Sequence, residues 1–179
     1  MNIEVEIRSL ITKEKYEELL KYFHQEAKFI SKDEQETHYF DTKEDLRIQK
    51  NDYFSKIWLK KGKMHDECRE EIEVQFNKED FNKIQNIFEE TLNIKTNIKW
   101  FRTRNTFKWQ DIGVYLDYTR GYGYILELEK ITTEHHKDEA LQNLKERLKI
   151  LNIPLTPKEE FNNKFEFYKK NWETLTKNI

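Results

Sequence analysis

Apolar residues recur along the chain with two different periods. Near the N-terminus Ile3, Val5 and Ile7 alternate with Glu4, Glu6 and Arg8, the two-residue repeat of a strand with one apolar and one charged face. The repeat returns at Leu46/Ile48 against Arg47/Gln49 and at Ile57/Leu59 against Lys56/Trp58/Lys60. It returns again at Ile72/Val74 against Glu71/Glu73 and at Leu126/Leu128 against Glu127/Glu129. Residues 98–109 and 112–118 are two further, aromatic-rich strand candidates. Elsewhere the spacing is helical: Tyr16, Leu19, Leu20 and Phe23 after a Thr12 cap, and Phe81, Ile84, Phe88 and Leu92 after an Asn77 cap. A third stripe is Leu141, Leu144, Leu148 and Leu151. The fourth, Phe161, Phe165, Tyr168, Trp172 and Leu175, follows Thr156-Pro157-Lys158-Glu159, which reads as a capping box with proline at the first helical position. Asn51-Asp52 and Lys61-Gly62-Lys63 read as turns, which makes the sheet a largely antiparallel meander.

Composition narrows the class. A chain of 179 residues suits one domain, with barrel strands and two helices over 1–131 and C-terminal helices over 132–179. Charged residues make up 37% and aromatics 14%, too aromatic for disorder. Thirty-two basic and 34 acidic residues leave a net charge of −2, so there is no general pull toward nucleic acid or an anionic membrane, and any anion site must be local. Cys68, the one cysteine, rules out an internal disulfide, and no His/Cys spacing suggests zinc. The apolar runs are too short for a transmembrane helix and the N-terminus lacks a signal-like apolar region, so a cytoplasmic protein is expected.

The charged strand faces carry the candidate chemistry. An alternating strand usually turns its polar side to water. Here Glu-x-Glu occurs at Glu4/Glu6, Glu71/Glu73 and Glu127/Glu129, and each pair shares a face where the carboxylates repel unless a cation offsets them. Arg8, Arg47, Lys60, Arg69, Arg102 and Arg104 stand among the charged positions, and the helices need the apolar faces to cover. A sheet closed on itself, apolar outward and charged inward, meets these requirements. A lumen lined with both signs calls for water, metal and a polyanion: arginine and lysine for phosphate oxygens, carboxylates for Mg²⁺ or Mn²⁺.

The ordered motifs resemble the CYTH superfamily, the triphosphate tunnel metalloenzymes. Glu4-Val5-Glu6-Ile7-Arg8 resembles the E-x-E-x-K signature, and His38-Tyr39-Phe40-Asp41-Thr42 the Y-F-D segment. Leu46-Arg47-Ile48-Gln49 resembles L-R-x-R, Trp58-Leu59-Lys60 the lysine strand, and Arg69-Glu70-Glu71-Ile72-Glu73 the R-x-E-x-E strand. Arg102-Thr103-Arg104 stands where the family has K-x-R. Asp117 followed by Gly121-Tyr122-Gly123 and Glu127-Leu128-Glu129 resembles D…G-x-G-x-x-x-E-x-E. The resemblance implies an α+β fold: an eight-stranded antiparallel β-barrel with a charged interior and helices packed outside. It looks closest to the class IV adenylyl cyclase branch, which implies conversion of ATP to cyclic AMP and pyrophosphate. Triphosphatase activity on tripolyphosphate, a nucleoside triphosphate or thiamine triphosphate is the alternative. Arg8 replaces the signature lysine and Gln49 the second arginine of L-R-x-R, and these departures motivate a third expectation, a sensor that binds a triphosphate without turnover.

Carried onto this sequence, the resemblance implies metal on Glu4, Glu6, Glu127 and Glu129, with Asp117 completing the shell or orienting an arginine. Phosphate is expected on Arg8, Arg47, Lys60, Arg69, Arg102 and Arg104, with Glu4, Glu6, Arg8 and Lys60 nearest the chemistry. Glu71, Glu73 and Lys56 are expected to support the tunnel, Lys56 offsetting the missing charge at Gln49. His38 has no evident partner, Tyr39 is either core or an orienting group, and Trp58 either fills the barrel end or stacks on a base. Gly121 and Gly123 form a tight turn rather than a phosphate loop. The expected partner is a nucleotide or inorganic triphosphate. Such barrels often associate, so a homodimer is an expectation, although no apolar stripe compels it.

Overall fold

The alternating segments pair into one sheet. The computed structural model describes residues 2–61 and 70–177. Its strands are β1 (Asn2–Ile11), β2 (Lys28–Phe40), β3 (Asp45–Lys50), β4 (Ser55–Lys61), β5 (Glu70–Phe76), β6 (Thr96–Trp109), β7 (Ile112–Thr119) and β8 (Gly123–Thr133). They form an eight-stranded sheet in the order β1-β8-β7-β6-β2-β3-β4-β5, every neighbouring pair antiparallel. β1 and β5 are the two edges. Hydrogen bonds do not join these edges among the described residues, yet the sheet curls: Glu4 on β1 feels the charges of Lys60 on β4 and Glu71 on β5. The result is the expected α+β tunnel.

The helices are α1 (Lys13–Glu26), α2 (Phe81–Asn86), α3 (Lys137–Ile150) and α4 (Lys158–Thr176). Thr12 caps α1 through its hydroxyl, which accepts the Lys15 N–H at 3.2 Å. The α1 stripe of Tyr16, Leu19 and Phe23 and the α3 stripe of Ala140, Leu144 and Leu148 pack on Val5, Ile7, Val114, Leu116, Leu126 and Leu128, the apolar outer face of β1, β8 and β7. A second outer cluster seats Phe81 of α2 on Phe40 and Ile48.

Three local expectations are corrected. The second helix is not one run: a 3₁₀ turn over 78–80 precedes α2 and a π turn over 87–91 follows it, while Asn77 makes no side-chain cap bond. Leu92 faces solvent, and Asn93, at φ 53°, ends the run. The fourth helix has no capping box. Thr156 instead accepts the Leu10 N–H at 2.9 Å, and α4 begins after Pro157. Here a tertiary hydrogen bond outcompetes the local one. Third, the helices do not cover the whole apolar face: Ile72 and Val74 on β5 are 51% and 58% exposed.

The turns behave as expected where they are described. The Asn51 side-chain oxygen accepts from the N–H of Tyr53 and Phe54, and Gly121 and Gly123 adopt positive φ in the tight β7–β8 turn. Most of Lys61-Gly62-Lys63 lies outside the described residues. No described helix is long and apolar enough to cross a membrane.

Candidate functional site

Register decides which charges meet. Directly paired residues share a sheet face. Glu6 pairs with Glu129 and Arg8 with Glu127 between β1 and β8, and Tyr115 pairs with Glu127 between β7 and β8. Across β6, Arg104 lies between Asp117 and Asp33, and Arg102 between Thr119 and Gln35. Arg47 pairs with Tyr39 and Trp58, Lys56 with Gln49, and Lys60 with Glu71. Strand parity then puts Glu4, Glu6, Arg8, Arg47, Lys56, Lys60, Glu71, Glu73, Arg102, Arg104, Asp117, Glu127 and Glu129 all on the inner face. Arg69 and Cys68 lie outside the described residues.

The lining is graded along the strands. On β1 it runs from Glu4 and Glu6 through Arg8 to Leu10, and on β8 from Glu129 through Glu127 to Ile125. At the apolar end α4 lays Phe161, Phe165 and Tyr168 against Ile98, Trp100, Tyr122 and Ile125. The Tyr168 hydroxyl donates to the Lys99 carbonyl at 2.9 Å, fixing this plug. A cavity there is lined by Arg8, Arg47 and Arg102 together with Tyr39, Trp100 and Phe165.

The arginines sit in a lattice of carboxylates. Arg8 donates to Glu6 and, at 2.7 Å, to Glu127. Arg104 takes both oxygens of Asp117, at 2.8 and 2.7 Å, and reaches Glu127 at 3.1 Å. Arg102 contacts the same Asp117 at 3.1 Å, and Arg47 binds both oxygens of Asp45. Lys60 is paired with Glu71, and Lys56 with Glu73 at 2.6 Å. Asp117 and Glu127 are buried, and both oxygens of each are held by arginine. Lys56 also lies 4.7 Å from the Trp58 ring, which is buried between it and Arg47. Tyr39 stacks under Arg47, 4.3 Å from its guanidinium carbon.

Carboxylates of one chemistry are driven in opposite directions. Burial raises the proton affinity of Glu127, but Arg104, Arg8 and Arg102 outweigh it and hold the group well below the usual range. Glu4 has the opposite balance: burial, then Glu129 and Glu6, push it up to about 8. Burial also raises Glu129, against a hydrogen bond from Tyr115 that lowers it. Among the arginines, burial and the neighbouring Arg104 lower Arg102, whereas carboxylates raise Arg8 and Arg104 against their burial.

The acidic end fits a divalent cation chemically. Glu4, Glu6 and Glu129 offer oxygen donors on the adjoining strands β1 and β8, and an ion would relieve their mutual repulsion. Among the described residues no three acidic, histidine or cysteine side chains stand together as a ready-made metal cluster. A magnesium-type ion asks for less, since it keeps several waters and is commonly held by one or two carboxylates together with substrate phosphates.

Several site residues escaped the sequence reading. Tyr115, over which Arg104 stacks at 4.4 Å and which bonds Glu129, was legible as the residue two before Asp117 on the same strand face. Asp45 bears the same relation to Arg47. Gln35 and Asp33 belong to β2, which shows no clean alternation. Gln49 is buried and bonds Thr37 at 2.8 Å. His38, expected to lack a partner, lies on the outer face and bonds Glu36 at 2.7 Å.

A family model described as the CYTH domain matches residues 2–160. Over 163 residues, 84% of this chain and 90% of the other, the sequence is 38% identical to a Methanocaldococcus jannaschii protein named “putative adenylate cyclase”. A conserved hypothetical protein from Pyrococcus furiosus shares the fold with a TM-score of 0.74 at 24% identity, covering 84% of this chain and 91% of that one. A Hippeastrum protein described as a “putative adenylyl cyclase” with a dominant triphosphatase activity aligns with a TM-score of 0.63 at 20% identity, over 86% and 89% of the two chains. At these identities the two structures speak for the fold.

Proposed function

Because the chain belongs to the CYTH family, whose members are metal-dependent enzymes acting on triphosphates, we propose that it converts ATP to cyclic AMP and pyrophosphate. The observation that carries this reading is the graded lumen, in which a belt of arginines adjoins a group of mutually repelling glutamates. The name of the M. jannaschii relative favours cyclisation as the reaction.

In this reading Arg8, Arg47, Arg102 and Arg104 bind the phosphate chain. Guanidinium groups suit it because they donate in pairs to phosphate oxygens and stay charged. Asp117 and Glu127 hold Arg8, Arg102 and Arg104 in place, so little reorganisation is needed when charge develops on the leaving pyrophosphate. Mg²⁺ or Mn²⁺ would be held by Glu4, Glu6 and Glu129 and would supply Lewis acidity to the phosphate oxygens. The ribose 3′-oxygen forms its bond to the α-phosphorus, and the bond to the α,β-bridging oxygen breaks. The 3′-hydroxyl proton is released to bulk water. Lys60, placed between Glu71 and Glu4, offsets charge at this end.

Hydrolysis of a triphosphate is the second reading. The charged set addresses the phosphate chain whatever that chain carries, and the Hippeastrum protein of this fold is described by such an activity. Incubating purified protein with ATP and Mg²⁺ or Mn²⁺ and resolving the products by chromatography tests both. Cyclic AMP with pyrophosphate is expected, lost on Glu6→Ala; orthophosphate without cyclic AMP rejects cyclisation in favour of hydrolysis.

A further inference from the structure

The lumen arginines are not held alike. Arg8 is tied by Glu6 and Glu127, Arg47 takes both oxygens of Asp45, and Arg104 takes both oxygens of Asp117. Arg102 differs. Its Nε and Nη2 both donate to a neutral acceptor, the Gln35 amide oxygen, at 2.9 and 2.5 Å. Its carboxylate contact is a 3.1 Å bond to the Asp117 oxygen that Arg104 already holds at 2.7 Å.

The orientation of Gln35 follows from donor and acceptor chemistry. Its Nε2 donates to Asp33 at 2.8 Å, and a carboxylate can only accept. Its oxygen must therefore face Arg102, which can only donate. Asp33 is anchored in turn by the Asp52 N–H at 3.1 Å. Gln49 reaches the Gln35 oxygen at 3.4 Å while donating to Thr37 at 2.8 Å, so it braces the amide from the next strand. The glutamine that departs from the L-R-x-R pattern is thus part of a neutral support, and Arg102 projects from that support into the cavity it lines with Arg8 and Arg47.

We propose that Gln35, braced by Gln49, is a positioning residue that presents Arg102 to the phosphate chain while leaving its charge the least compensated among the described lumen arginines. A carboxylate at position 35 would still accept from Arg102 but would cancel its charge, and it would lose the donation to Asp33. This inference rests on the lumen being a triphosphate site, and its test separates the two ideas.

Inorganic tripolyphosphate is titrated calorimetrically into wild type, Gln35→Glu, Arg102→Met and the double variant, with and without Mn²⁺, alongside KM and kcat for ATP. Gln35→Glu is expected to weaken tripolyphosphate binding roughly tenfold and to raise KM by a similar factor with kcat changed less than about threefold, the scale of one lost charge-assisted contact. In the Arg102→Met background the same substitution should cost less than about twofold, because the cycle isolates the coupling between the two positions. Equal losses with and without Arg102, or wild-type binding by Gln35→Glu, overturn the inference. If Gln35→Glu does not fold, Gln49→Met removes the brace and is expected to weaken binding about threefold in the presence of Arg102 alone; no such difference is equally fatal. Failure of wild type to bind tripolyphosphate sinks the functional reading and this inference together, whereas binding with an uncoupled cycle sinks the inference alone.

Discussion

Glu4 and Glu127 share a side chain and a sheet face, and the lumen treats them oppositely. Glu127 has arginines for neighbours and stays ionised; Glu4 has burial, Glu129 and Glu6 against it and holds a proton up to about pH 8. Proton linkage converts this into stability. A carboxyl raised from its ordinary 4.5 to about 8 binds more protons in the native than in the unfolded state across that window. Its contribution is therefore complete below the ordinary value and is lost as pH rises through about 8. The thermal midpoint of the metal-free protein should fall by roughly 5 °C between pH 6 and pH 9, a loss on the order of 1–2 kcal/mol. Mn²⁺ at pH 9 should restore it, and Glu4→Gln should flatten the profile. Differential scanning fluorimetry across pH checks this; a midpoint that rises toward pH 9 without metal would mean the glutamates are not crowded as described.

At the scale of elements, the misses have a common cause. β2 reads Lys28-Phe29-Ile30-Ser31-Lys32-Asp33-Glu34-Gln35-Glu36 over most of its length, with polar residues on both faces. Its inner face meets Arg102 and Arg104 and its outer face stays polar, so no hydrophobic alternation marks it. The α4 cap fails for a related reason: Thr156 finds a better partner in β1. Where elements join, fit is tight. Gly121 sits at φ 71°, and a Cβ there would come within 2.6 Å of the Leu175 Cβ on α4. Gly121→Ala should therefore destabilise by about 1–3 kcal/mol through overpacking and backbone strain. Because it would lift the plug beside the arginine pocket, KM for ATP should rise as well. Urea unfolding and steady-state kinetics measure both effects, and an unperturbed variant would show that α4 is not seated against this turn.

Across the whole molecule, ion pairs bind the lumen cations to carboxylates drawn from several strands. In this lattice the lumen arginines each have a carboxylate contact, whereas Glu4 and Glu129 are crowded by other carboxylates. A cation drawn to the glutamates and a polyanion drawn to the arginines would each relieve what the other leaves unpaired, so their binding should be mutually reinforcing. Arg104→Ala is expected to weaken ATP binding roughly tenfold, the scale of a lost charge-assisted contact, with the metal requirement kept. Glu129→Ala is expected to raise the Mn²⁺ concentration needed for half-maximal activity by about tenfold, as loss of a metal-shell partner does. Unchanged kinetics in both variants would disperse the lumen assignment.

The two-residue and helical repeats in the sequence alone determined the seven strands they mark, the four amphipathic stripes and the split between apolar and charged faces, because local backbone geometry dictates which side chains share a side. Parity likewise placed Glu4 with Glu6 and Arg8, Arg102 with Arg104, and Glu127 with Glu129. Tertiary structure alone decided which pair meets which: that Arg104 and Arg8 neutralise Glu127 while Glu129 crowds Glu4, and that Gln49 joins Gln35 in supporting Arg102. Those outcomes depend on strand order and register, which are properties of non-local pairing, and on burial, which amplifies every charge–charge contact once water is displaced.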